Sequence, residues 1–137
     1  MTNYPKSLAK PSLKYRYQRK DVHQTRRIDK LIELQLYVAT AGLCQLPSCR
    51  QPVLLHNSTR TPLILGEMAH IVAFSVDGPR GRYKNRSNNV HDIHNLMLLC
   101  PTCHKLVDTK VDQYSVEVLR QFKIGRASCR ERVCLAV

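Results

Sequence analysis

The stretch Asn95-Leu96-Met97-Leu98-Leu99-Cys100-Pro101-Thr102-Cys103-His104-Lys105-Leu106-Val107-Asp108 changes character in its middle. Its first half is an apolar run, which reads as buried and begins on an amide that must find partners there. Proline then opens a helix at its first position, where a missing N–H costs nothing, and the helix is expected to reach about Thr109. Within that helix His104 and Asp108 stand four residues apart and share one face. Cys103 lies about 100° round the axis from His104. One helix can therefore offer a sulfur to one partner and an imidazole with a carboxylate to another.

The sulfur has matching sulfurs upstream. Cys44-x4-Cys49 forms a tight turn, and Cys100-x2-Cys103 forms a second close pair. Two paired turns supply four soft ligands to a tetrahedral zinc ion with little chain strain. Disulfides and free buried thiols are the alternatives. A reducing compartment disfavours the first, and the second leaves the pairing unexplained. A structural Zn2+ held by Cys44, Cys49, Cys100 and Cys103 is the expectation. Four protein sulfurs leave no open position, so such an ion holds the fold and does no chemistry.

Working outward, Ile28, Leu31, Ile32, Leu36 and Ala39 recur at helical spacing, with Thr25 as N-cap and Gly42 as stop. That stripe is expected to be core. Val53–Leu55 and Leu63–Leu65 are short strand candidates separated by a polar turn from His56 to Thr61. A loop rich in Gly, Pro, Arg and Asn runs from Asp77 to Asn89, and Ser115 is placed to cap a last helix through Val118 and Leu119.

The formal net charge of +12 suits a polyanionic partner, and nucleic acid fits better than a membrane because no basic amphipathic helix with a large apolar face is evident. No run approaches the roughly 18 apolar residues of a membrane span. The polar, basic start does not resemble a secretory signal, so a cytoplasmic location is expected. Residues 1–25 read as a basic arm with Tyr4, Tyr15 and Tyr17 interleaved. It is either a solvated tail or an arm that contacts phosphates and stacks on bases. At the other end, Lys123 to Val133 resembles a translated sequencing adapter residue for residue. We read 123–137 as an adapter-encoded replacement for a C-terminal region in which a sensor or targeting domain would lie. That tail contributes +3 of the charge and two cysteines, leaving +9 and the four paired cysteines.

With Gly66-Glu67-Met68-Ala69-His70-Ile71 and Asp77-Gly78-Pro79-Arg80-Gly81 preceding the Asn95–Asp108 stretch in order, the chain resembles the HNH endonucleases. The likeness is to the zinc-bearing bacterial branch with AHI and LCPxCH signatures, some of whose members are defence effectors. The resemblance implies an α+β fold, a ββα-metal, treble-clef-like core with an added N-terminal helix, spanning residues 26–122. It also implies hydrolysis of phosphodiester bonds in DNA, most naturally double-stranded. His70 matches the general base, Asn95 the asparagine that orients it, and His104 the ligand of a catalytic Mg2+ or Mn2+.

The chemistry agrees. Phosphodiester hydrolysis needs a base near neutral pH for the attacking water and a cation for the charge that builds on the phosphate. Asp108 is the expected second ligand of that cation, while a local hydrogen bond is the other reading of His104. Many relatives carry an acidic residue or histidine just before the base. Ala69 stands there instead, so either Glu67 supplies the oxygen or it pairs with a nearby arginine. His91 and His94 flank Asn95, with surface or substrate-facing roles expected. Arg80, Arg82, Lys84 and Arg86 make the long loop a candidate phosphate grip, with a solvated charged loop as the alternative. The competing class of function is a catalytically inactive, zinc-bound nucleic-acid-binding module that keeps this fold without a full cation site.

Overall fold

The computed structural model describes residues 26–123. The arm, the Thr25 cap and residues 124–137 of the adapter-like tail lie outside the described residues. In chain order the elements are α1 (Lys30–Thr40), β1 (Glu67–His70), a 3-10 turn (Ile93–Asn95), β2 (Leu96–Leu99) and α2 (Pro101–Thr109). A last helix, α3, occupies residues 116–123.

Helix α1 starts at Lys30, because Asp29 accepts a hydrogen bond from the Leu31 amide at 2.7 Å and so satisfies one orphan donor. It ends at Thr40 with Ala41 as its C-cap, and the expected stop, Gly42, follows directly. Ala41 and Gly42 both have positive φ, and a Cβ on Gly42 would stand 2.6 Å from Leu54 Cδ1. The expected core stripe is only partly buried. Leu36 is buried, Ile28 and Ile32 are half-buried, and Leu31 and Ala39 face out. The reason is the small area beneath: α1 rests on β2, a strand of four residues.

The strand candidates at 53–55 and 63–65 do not become strands. Isolated bridges, Leu43 with Pro52 and Leu55 with Pro62, stand where a ladder was expected, beside the backbone bonds from Leu63 N to Leu54 O and from Leu65 N to Val53 O. Each bridge contains a proline, which has no N–H to extend a ladder. The turn from His56 to Thr61 is present, closed by the His56 amide donating to Thr61 O at 2.9 Å.

The sheet is the antiparallel pair β1–β2, with Glu67 opposite Leu99 and His70 opposite Leu96. All four residues of β2 are buried. On its far edge, Gln45 takes the place of a third strand. Its backbone amide donates to Leu98 O and its side-chain Oε1 accepts from Leu98 N, so both polar backbone groups of Leu98 are satisfied on this edge. Helix α2 packs across both strands. Cys100 is its N-cap, Pro101 opens it, and it ends at Thr109. Ser115 caps α3 by accepting from the Val118 amide. This is a small α+β fold with a four-cysteine cluster, consistent with a ββα-metal architecture.

Candidate metal centre and active site

The turn after α1 and the start of α2 bring Cys44, Cys49, Cys100 and Cys103 together, with all four sulfurs within 4.8 Å of one another. Sulfurs about 2.3 Å from a common ion must lie about 3.8 Å apart in a tetrahedron. Cys49 and Cys100 are 3.8 Å apart. Two amides point at sulfur: Cys100 N at Cys44 and Cys103 N at Cys100, each at 3.4 Å. Burial raises the Cys44 and Cys103 thiols above their ordinary range. Burial pushes the same way on Cys49, but the Gln51 amide and neighbouring thiols more than offset it. Four sulfurs packed this closely, partly as reluctant thiols, are what a divalent metal such as zinc would ionise and hold. None of the four forms a disulfide.

The second group of residues lies where β1 passes α2. His104 on α2 has a carboxylate at each ring nitrogen: Glu67 Oε2 is 2.6 Å from Nδ1, and Asp108 Oδ2 is 3.3 Å from Nε2. These hydrogen bonds, Asp108 first, raise the His104 pKa against the effect of burial. Burial opposes ionisation of Asp108, yet bonds from His104 and Arg80 hold its carboxyl below the usual range. Glu67 therefore turns into this site and not towards Arg80, which pairs with Asp108.

His70 closes β1, and its ring is half-buried. Burial, aided by His91 and His104, lowers its pKa to about 4, so the ring is neutral with an available lone pair at physiological pH. Asn95 does not touch this ring. Its Oδ1 accepts from Val72 N at 2.9 Å, and its Nδ2 donates to Val72 O at 3.0 Å and Val90 O at 2.8 Å. Asn95 thus grips the backbone two residues past His70.

Residues 44–110 match the model of the HNH endonuclease family. This segment is an HNH endonuclease domain by family. No curated protein matches the chain. The HNH segment covers both cysteine pairs, His70, Asn95, His104 and Asp108, and nucleic acid is the substrate class of its family.

The basic loop of the HNH segment is only half what its sequence suggests. Arg80 is almost fully buried, at 3 % side-chain exposure, and pairs with Asp108 at 2.7 Å. It also donates to Ile71 O at 2.7 Å and Val107 O at 2.8 Å. Arg86 likewise donates to Ala73 O, Gly81 O and Phe74 O. Arg80 spends its donors on Asp108 and on carbonyls outside the loop, and Arg86 on carbonyls around the loop, so both turn inward and not towards a phosphate. Arg82 and Lys84 remain outward, Arg82 beside the equally exposed Asp77. The loop doubles back so tightly that a Cβ on Gly81 would lie 2.2 Å from Ser75 O, and Arg80 itself has φ 59.

Replacing Arg80 by methionine is expected to lower stability by about 3 kcal/mol, since Asp108 and two carbonyls lose their partner. Urea unfolding of the zinc-loaded protein measures it. An unchanged midpoint would show that these bonds contribute nothing.

His94 is exposed on the 3-10 turn, and His91 faces His70. Lys123, the first residue of the adapter-like tail, is packed: its Nζ donates to Ile93 O and Leu96 O, and burial lowers its pKa to about 8. Among the described residues no helix is long and apolar enough to cross a membrane.

Proposed function

We propose that this chain is a metal-dependent HNH endonuclease that hydrolyses phosphodiester bonds in DNA, with His70 as general base. The observation that carries the reading is the pairing on His104. A ligating histidine commonly donates its other N–H to a carboxylate, which fixes its tautomer. Glu67 at 2.6 Å from Nδ1 fits that supporting role, leaving His104 Nε2 and Asp108 Oδ2, 3.3 Å apart, as the ligand pair. Glu67 is then an orienting group and not a ligand. Mg2+ and Mn2+ accept such a site, because they keep several water or phosphate oxygens beside one or two protein ligands. The ion would supply positive charge to the phosphate and leaving oxygen. Arg80 holds Asp108 so that one carboxylate oxygen remains for it.

His70 takes the proton from the attacking water, and its low pKa keeps it unprotonated and ready to do so. Asn95 and β1 hold that ring in place. The cysteine cluster takes a structural zinc, which ties the turn after α1 to the start of α2. Arg82 and Lys84 supply backbone phosphate contacts, which position DNA without reading its sequence.

Nicking of a supercoiled plasmid, with Mg2+ or Mn2+ added to the zinc-loaded protein, tests the reading. Conversion to open-circle and linear forms is expected only with the added cation. Intact plasmid throughout would remove it and leave the binding-module reading.

The cation should also compete with a proton. His104 has a raised pKa and must lose its proton to ligate, whereas Asp108, with a lowered one, is already ionised. Mn2+ affinity should therefore fall as pH drops, approaching about tenfold per pH unit below the His104 titration point. Free Mn2+ measured by electron paramagnetic resonance between pH 8 and pH 5.5 (on the order of two to three units of range) gives the slope. A flat response would remove His104 as a ligand.

A further inference from the structure

We infer that His91 is a positioning residue for His70: by accepting the His70 Nε2–H at its own Nδ1, it holds the base in one tautomer and leaves Nδ1 of His70 to take the proton. The inference rests on the nuclease reading for its catalytic consequence, though the pairing itself is a separate, measurable property.

The contact is direct. His70 Nε2 lies 3.1 Å from His91 Nδ1. Only one proton can lie between them, so one ring donates and the other accepts. Donation from His70 leaves both rings protonated at Nε2, the more stable tautomer of a neutral histidine side chain. Donation from His91 would force both into the less stable form and would occupy the Nε2 lone pair of the base. The first arrangement is favoured twice over, once in each ring. Which nitrogen of a histidine acts is set by the bond its other nitrogen makes.

His91 is itself held for this purpose from three sides. Its ring stacks on Phe74, with centroids 5.5 Å apart and planes 25° apart. Its amide donates to Asn89 Oδ1 at 3.1 Å. The preceding carbonyl, Val90 O, receives Asn95 Nδ2 at 2.8 Å. The same asparagine side chain grips Val72, just past His70, through two bonds. One amide thus sets the spacing between the segments that carry the two imidazoles. This explains why Asn95 has all three of its side-chain bonds on backbone and none on His70.

In the reaction His70 Nδ1 takes a proton from water, whose oxygen keeps the electron pair and attacks phosphorus, while the P–O bond to the leaving oxygen breaks and its electron pair stays on that oxygen, which takes a proton from solvent. The ring becomes an imidazolium, and its Nε2–H bond to His91 becomes charge-assisted and stronger. His91 neither gains nor loses a proton.

Nitrogen-15 shifts of the histidines in the zinc-loaded full chain test this, with the His70 signals assigned by their absence in His70→Gln. In the parent, Nε2 of His70 should carry the proton and Nδ1 should not. His91→Asn keeps an acceptor oxygen near the place of Nδ1, so it should retain that tautomer and most of the cleavage. His91→Leu should give mixed His70 tautomers and lower plasmid cleavage by about 100-fold, the order lost when a catalytic imidazole is misoriented. A parent protonated at Nδ1, or a tautomer indifferent to His91→Leu, overturns the inference even if cleavage persists. A tautomer that responds as expected in a chain that never cleaves DNA overturns the nuclease reading and, with it, the catalytic role, while leaving the pairing. The parent measurement needs no variant to fold.

Discussion

Changing Cys44 to serine is expected to leave the chain without a cooperative unfolding transition. The expectation follows from how little else holds the fold. Its sheet is two strands of four residues, and the two bridges before β1 end at prolines. A structural zinc contributes about 10–16 kcal/mol in small domains, against net stabilities of about 5–15 kcal/mol for whole ones. Cys44 is fully buried, and its sulfur also receives the Cys100 amide that begins α2. Serine loses the soft ligand and offers a poorly ionised oxygen in its place. Zinc per chain should fall from near one to near zero, with loss of the sharp thermal transition in circular dichroism. A chelator added to the parent should produce the same loss. Should Cys44→Ser retain the parent's melting temperature, the metal would not be holding this fold.

What could be read in advance was whatever is encoded locally. Pro101 after a buried run announces α2, and Cys103 with His104 and Asp108 on that helix announces two separate faces. Gly42 announces the end of α1. The cysteine pairs carry their own long-range information, since a tetrahedral ion requires both pairs at one point. What could not be read depends on partners distant in the chain. Arg80 looks like a solvent cation until Asp108 and the carbonyls of Ile71 and Val107 are seen around it. Leu31 looks like core, but β2 is too narrow for α1 to bury that side. His91 gave no local sign of its role, because its partner is 21 residues earlier.

The role of Glu67 shows how the geometry changes a reading without changing the residues involved. Ala69 leaves no carboxylate next to His70, so Glu67 was the natural substitute ligand. Its oxygen instead meets His104 Nδ1 at 2.6 Å, a distance for a shared proton. In the proposed site the carboxylate would act on a cation only through the imidazole, with Asp108 as the direct oxygen ligand. Arg80 would make that possible by occupying Asp108 Oδ1 alone, so under the proposed function this basic loop residue supports the cation site and not the nucleic acid.

His70→Ala is expected to lower cleavage by about 10² to 10⁴-fold, the range a positioned general base contributes. Zinc content and DNA affinity should stay near those of the parent. The ring is at the end of β1, away from the cysteine cluster, and its neutral form contributes no charge to phosphate binding at pH 7. Asn95 grips backbone at Val72, so the local path of the chain does not depend on the imidazole. The loss should therefore fall on turnover and leave binding alone. His104→Ala should behave differently, with partial recovery at high Mn2+, because a weakened cation site can be filled by mass action and a missing base cannot. If His70→Ala nicks plasmid as fast as the parent, another group activates the water, and the HNH assignment of the base is wrong for this chain.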